Sequence, residues 1–188
     1  MKKDAVNEVR SLLDKDLANT IVPWLIDHGF FDAPASINHH GNRPGDLAEH
    51  SIAVAESLME MTAKLGLTWQ NPRSPAVVGL LHDLCKLDDY ELIVDHPGVE
   101  VFGGKIVDQL THWDYRKEKI MEGHGDKSVM MASTILKLTE EEMFCIRFHM
   151  GAFTDQKEWN YYGRACTKYP NVLFTQTADM IAARVKQI

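Results

Sequence analysis

The sequence predicts an all-α fold carrying one small β-hairpin, and three observations lead there. Apolar residues recur at helical spacing through most of the 188 residues. One stretch, Asp88 to Glu122, is instead rich in Val, Ile, Thr, Trp and Tyr around Gly103-Gly104, as an inserted hairpin would be. The chain is 45% hydrophobic and 25% charged, enough apolar material for one continuous core, so a single domain over 1–188 is expected.

The elements follow in order. "KDAVNEVRSLLDKDLANTIVPWLIDHG" puts Val6, Val9, Leu12, Leu13 and Leu17 at helical spacing, with an interruption expected at Pro23 and a stop at Gly29. "FFDAPASINHHGNRPGD" reads as a loop from its Pro, Gly and Asn content. In "DLAEHSIAVAESLMEMTAKLG" Leu47, Val54, Leu58 and Met61 form one face, and Gly66 ends the helix. "SPAVVGLLHDLCKL" follows as one helix, with Ser74 as its cap and Pro75 in its first turn. Beyond the hairpin, "HGDKSVMMASTILKL" aligns His124, Ser128, Met131 and Ile135. Thr139 and Glu142 make a capping box that opens "TEEEMFCIRFHMG", where Cys145 and Ile146 share a face with His149. The last helix, "NVLFTQTADMIAARVKQ", lines up Val172, Thr175 and Asp179.

Charge and cysteine content exclude several classes. With a net charge of −7, the surface repels polyanions, and no extended nucleic acid partner is expected. Cys85, Cys145 and Cys166 form no CxxC pair, which argues against a disulfide framework or a thiolate zinc site and for a reducing, cytoplasmic setting. The N-terminal stretch lacks the apolar core of a signal peptide, and no run approaches the roughly 20 apolar residues of a membrane span. No membrane partner is expected, and nothing in the pattern specifies an oligomer.

Five helices each carry a metal-capable residue on the face that their apolar neighbours mark as inward: His50, His82 with Asp83, His124, His149 and Asp179. Taken singly, each has a bland reading. An inward His50 or His149 is more often a core histidine bonded to a carbonyl, and Asp179 could pair with Arg184. Burying these groups on five helices without a common partner would cost several kcal/mol each, so a shared cause is expected. A divalent metal supplies one, and an imidazole and carboxylate set without thiolates suits zinc, iron, manganese or nickel.

The ordered set His50 in "LAEHSIAV", His82-Asp83 in "GLLHDLCK" and Asp179 in "QTADMIA" resembles the HD-domain superfamily of metal-dependent phosphohydrolases over about residues 25 to 185. His124 in "GHGDKS" and His149 in "RFHMG" fall where the two-metal branch places its additional histidines, and Lys86 matches the lysine of the HDxxK form. The resemblance implies an HD-domain helical bundle. It implies one metal held by His50, His82, Asp83 and Asp179, and a second by His124 and His149, with Asp83 bridging. Iron, manganese, nickel, zinc and magnesium are all candidates. The chain departs from the cyclic-dinucleotide branch, which has a second histidine where this sequence has Met150 and lacks a counterpart to the hairpin.

Two metals roughly 3.5–4 Å apart can hold a phosphate, lower the pKa of a bridging water and aim the resulting hydroxide at a P–O bond. The expected function is hydrolysis of a small nucleotide-like or other phosphorylated substrate, with Asp83 and Lys86 as catalytic groups. Lys86 lies three residues after Asp83, one helical turn away, and would neutralise a phosphate oxygen. Lys127 and the loop residue His40 are further candidate substrate contacts, although a solvated face explains either as well. The same ligand set also resembles the mixed-valent diiron oxygenases related to myo-inositol oxygenase. A non-catalytic nucleotide-binding regulatory domain is a third reading.

Overall fold

The structure, a computed structural model, describes residues 2–37, 42–101, 105–107, 109–119 and 121–187. In chain order the helices are α1 (Lys2–Ser11), α2 (Lys15–Asp27), α3 (Asp46–Leu65), α4 (Ser74–Leu81) and α5 (Lys86–Asp89). Then come α6 (His124–Ile135), α7 (Glu140–Arg147), α8 (Trp159–Lys168) and α9 (Asn171–Met180). Four strands, β1 (Tyr90–His96), β2 (Val99–Val101), β3 (Lys105–Val107) and β4 (Leu110–Tyr115), lie between α5 and α6. The protein is thus mostly helical with a small antiparallel β insertion, as the sequence predicts. None of the described helices is long and apolar enough to cross a membrane.

Helix α3 is the axis of the fold. Between Asp46 and Leu58 all its side chains except Glu49 and Glu56 are buried, because α1, α4 and α9 pack around it. Leu47, Val54 and Leu58 join Ile21, Val22, Leu25, Val77, Leu80, Leu81, Ile146 and Val172 in one apolar cluster. Gly66, with φ 67°, ends α3 as expected.

Two glycines set how closely the helices approach. A Cβ on Gly79 of α4 would overlap the backbone of Ala55 in α3. A Cβ on Gly125 of α6 would overlap the carbonyl of Arg147 at the end of α7. Each tight crossing stands near two of the histidines singled out above: His50 on α3 and His82 just after α4, and His124 at the start of α6 and His149 just after α7.

A buried polar clasp joins the starts of three helices. Glu142 completes the predicted capping box by accepting from the Thr139 backbone N–H at 2.7 Å while its own N–H donates to Thr139 Oγ1. The same carboxylate accepts from Ser74 Oγ at 3.0 Å and from Arg73 Nε at 3.3 Å. Glu141 accepts from the Gln70 backbone N–H and from Asn171 Nδ2. Ser74 therefore spends its hydroxyl on Glu142 and does not cap its own helix; the N-cap position is Arg73.

Two other boundaries differ from the sequence expectation. The first helical region breaks at Asp14, whose carboxylate accepts from the N–H groups of Asp16 and Leu17 and caps α2, whereas Pro23 sits inside α2 without ending it. The "SPAVVGLLHDLCKL" segment is not one helix, since α4 ends at Leu81 and a turn over residues 82–85 leads into α5. In that turn the His82 ring, through Nδ1, bonds the Gly79 carbonyl at 2.8 Å, which ties the side chain back onto α4.

The insertion is a single hairpin arm. β1 pairs antiparallel with β4 in the register Tyr90↔Tyr115, Leu92↔Trp113 and Val94↔Thr111, with an irregularity between Val94 and His96. β2 and β3 continue the pairing beyond it. The Gly103-Gly104 turn proposed from the sequence lies outside the described residues.

Gly79→Ala is expected to lower stability by about 1–3 kcal/mol, because α3 and α4 must separate to admit the methyl group. Urea denaturation checks this, and a wild-type midpoint would show that α4 has room the structure does not have.

Candidate metal centre

Four predicted histidines converge on one carboxylate, that of Asp83. Asp83 lies in the turn after α4 and is buried. Its Oδ2 is 3.5 Å from His82 Nε2 and 3.7 Å from His50 Nε2. Its Oδ1 is 2.7 Å from His124 Nε2 and 3.3 Å from His149 Nε2. Asp179, from α9, adds a second carboxylate on the His50 side, with Oδ1 at 3.1 Å from His50 Nε2 and 3.9 Å from His82 Nε2. The cluster has two halves, His50–His82–Asp83 and Asp83–His124–His149, which share Asp83.

Ring orientation decides what those contacts mean. His82 Nδ1 is held by the Gly79 carbonyl and His149 Nδ1 by the Ile146 carbonyl, at 2.8 and 2.7 Å. A carbonyl only accepts, so in both rings Nδ1 carries a proton, and a ring that is neutral then presents a lone pair at Nε2. Burial holds the His82 pKa down at about 3, against an ordinary 6.5, so that ring is neutral. Asp83 is itself held well below the usual carboxylate range: burial pushes its pKa up, but Lys86, His82 and His124 together outweigh it. A lone pair of the neutral His82 ring therefore faces the Asp83 anion across 3.5 Å, with no proton between them, while the same Nε2 stands 3.3 Å from His50 Nε2. His149 Nε2 is buried and has no hydrogen-bond partner among the described residues. A buried acceptor facing an acceptor is unfavourable unless a cation lies between.

The spacing fits such a cation. Nitrogen and oxygen ligands about 2.1 Å from one metal ion stand about 3.0–3.4 Å apart, from octahedral to tetrahedral. The backbone carbonyl on each Nδ1 is also the partner that orients metal-binding imidazoles. The chain therefore carries buried His and Asp groups that could hold metal ions, with the donor chemistry of hard or borderline divalent metals.

The site opens into a cavity of about 1030 Å³. Lys86 forms part of its wall, with Nζ 2.7 Å from Asp83 Oδ2. Burial works to lower the Lys86 pKa, but the charge and hydrogen bond of Asp83 win and raise it. Lys127, the other candidate lysine, is not itself a lining residue, although its partner Asp89 is. Its buried ammonium donates to Asp88 and Asp89 at 2.9 and 2.8 Å and ties α6 to α5. Asp126 pairs with Arg147 Nε at 2.6 Å on the outside of the same helix pair. His40 lies outside the described residues.

Several cavity residues were not singled out from the sequence. Arg43, Tyr90, Phe153 and Arg184 line it alongside the ligands. Arg184 lies in a π-helical turn, Ile181–Lys186, that continues α9, and an α-helical wheel carries no signal for it. Cys85 was read only as a reduced thiol, yet its Sγ lies 3.2 Å from His124 Nδ1. Burial raises the pKa of this thiol well above its ordinary value.

No family model, curated protein or solved structure matches this chain. The class that fold and site define is a mostly helical protein with a clustered His/Asp set that could hold metal ions, compatible with an HD-type site.

Metal linkage gives the direct expectation for this site. Saturating manganese or zinc is expected to raise the melting temperature of chelator-treated protein by about 5–10 °C, since binding at 100 times Kd adds about 2.7 kcal/mol. Asp83→Ala should abolish the shift. An equal shift in the variant would place the binding elsewhere.

Proposed function

We propose that this protein is a metal-dependent phosphohydrolase of the HD-domain type, acting on a small phosphorylated molecule. The observation that carries the reading is the single buried carboxylate shared by two histidine pairs, with a lysine on the open side. His50, His82, Asp83 and Asp179 would hold one divalent ion, and Asp83, His124 and His149 a second. When bound, such ions lower the pKa of a coordinated water and neutralise phosphate charge, which is the chemistry of phosphoester hydrolysis.

The chain supplies the remaining requirements. Lys86 contributes a positive charge fixed against the cavity wall, suited to pairing with a non-bridging phosphate oxygen as charge grows there. The backbone carbonyls of Gly79 and Ile146 hold two rings in one orientation, so little reorganisation is needed on binding. A cavity of about 1030 Å³ matches a small substrate, and the net charge of −7 disfavours a nucleic-acid polymer.

The test is hydrolysis of a panel of phosphomonoesters and phosphodiesters by protein reconstituted with manganese, nickel, iron, zinc or magnesium. Lys86→Met is expected to lose about 10²-fold in kcat/KM while keeping its metal content, as loss of one charge-stabilising group does elsewhere. Metal-loaded protein that hydrolyses no phosphoester, or a Lys86→Met variant as active as wild type, would contradict the proposal. Oxygen uptake by the iron-loaded protein in place of hydrolysis would favour the diiron oxygenase reading.

A further inference from the structure

The hairpin arm has two unlike faces. Directly opposed residues in an antiparallel pair share a face, so the register groups Tyr90, Tyr115, Leu92, Trp113, Val94 and Thr111 on one side. Glu91, Asp114, Ile93 and His112 occupy the other, where His112 pairs with Asp95 at 2.6 Å. One face is thus apolar and aromatic and the other largely charged. In an ordinary amphipathic sheet the apolar face is covered by the body of the protein. Here Tyr90 is buried and Trp113 half-buried, but Leu92, Val94 and Tyr115 stay open, at 49%, 50% and 46% exposure.

That open face begins inside the metal cavity. Tyr90 and Tyr115, its first pair, are both cavity-lining residues, with ring centroids 5.4 Å apart. From there the face runs outward through Leu92/Trp113 to Val94/Thr111, four residues along β1, or about 13 Å. Phe153, 66% exposed, adds another apolar side chain to the cavity lining. The surface is thus a strip continuous with the candidate site at one end. Exposed apolar strips of this kind mark binding surfaces, and continuity with the cavity identifies the occupant as the part of a substrate that emerges from it. The charged reverse face and the net charge of −7 make the arm a poor match for an anionic membrane.

We propose that the hairpin arm is a substrate-binding platform that selects phosphoesters with an extended apolar body, the phosphate lying in the metal cavity and the body along Tyr115, Leu92, Trp113 and Val94. This rests on the phosphohydrolase reading for the phosphate end. The apolar end follows from the register of β1 and β4 and the exposure of their side chains. The arm thereby sets specificity, while the histidine cluster sets the chemistry.

Alkylphosphonates, which cannot be hydrolysed at the P–C bond, separate the two claims. Binding of methylphosphonate and octylphosphonate to manganese-loaded protein would be measured by calorimetry, below the aggregation concentration of the longer ligand. The octyl compound is expected to bind at least about 30-fold more tightly, since even partial burial of seven added methylenes exceeds that ratio. The double variant Leu92→Thr, Val94→Thr, at half-exposed positions that leave the core intact, should bring the ratio down to within about threefold. Leu173→Ser, an exposed apolar position on α9 away from the arm, should leave it unchanged. Equal binding of the two phosphonates by wild type, or an equal fall of the ratio in the Leu173 variant, would overturn the platform. Failure of both phosphonates to bind would overturn the phosphohydrolase reading and the platform with it.

Discussion

The confrontation between the Asp83 carboxylate and the histidine lone pairs is the constraint on which the site depends. Two of the rings have their protons drawn to the far side by backbone carbonyls, and burial keeps His82 neutral. The neutral His82 ring cannot relieve its contact with Asp83 by donating to it. The Lys86 ammonium pairs with one oxygen of the carboxylate and His124 Nε2 hydrogen-bonds the other, at 2.7 Å each. His149 Nε2 is still left without a partner among the described residues. A purely structural core would fill such a position with an apolar side chain at lower cost. Retention of the polar set makes sense if cations complete it.

The rest of the fold works to hold that arrangement in place. Gly79 lets α4 lie against α3, near His50 and His82, and Gly125 lets α6 approach the end of α7, near His124 and His149. Asp83 stands in the turn between α4 and α5, where it can offer one oxygen to each pair. The clasp built on Glu141 and Glu142 fixes the starts of α4, α7 and α9 relative to one another. These supports lie on rigid helices, as a site that must keep sub-ångström geometry requires.

How much of this was legible in the sequence depended on whether the signal was local. Helix faces, the Gly66 stop and the Thr139–Glu142 box are written in three- and four-residue spacings, and the structure has them. The inward histidines and aspartates could be recognised because each interrupts an apolar stripe. What sequence could not carry was tertiary competition for polar groups. Ser74 looked like a cap, but a glutamate 68 residues away takes its hydroxyl. Lys127 looked like a substrate contact, but Asp88 and Asp89 on α5 take its charge. Pro23 looked like a break, but the Asp14 cap sets the boundary and α2 continues through the proline. The apolar face of the arm required the strand register, which no local spacing specifies.

On the function proposed above, this cluster would bind two metal ions around Asp83. Elemental analysis of purified protein, after equilibration with divalent metal and removal of the excess, tests it most directly. About two metal atoms per chain are expected. Less than one atom per chain, unchanged by added manganese, iron, nickel or zinc, would contradict it and leave these histidines as core residues bonded to backbone carbonyls.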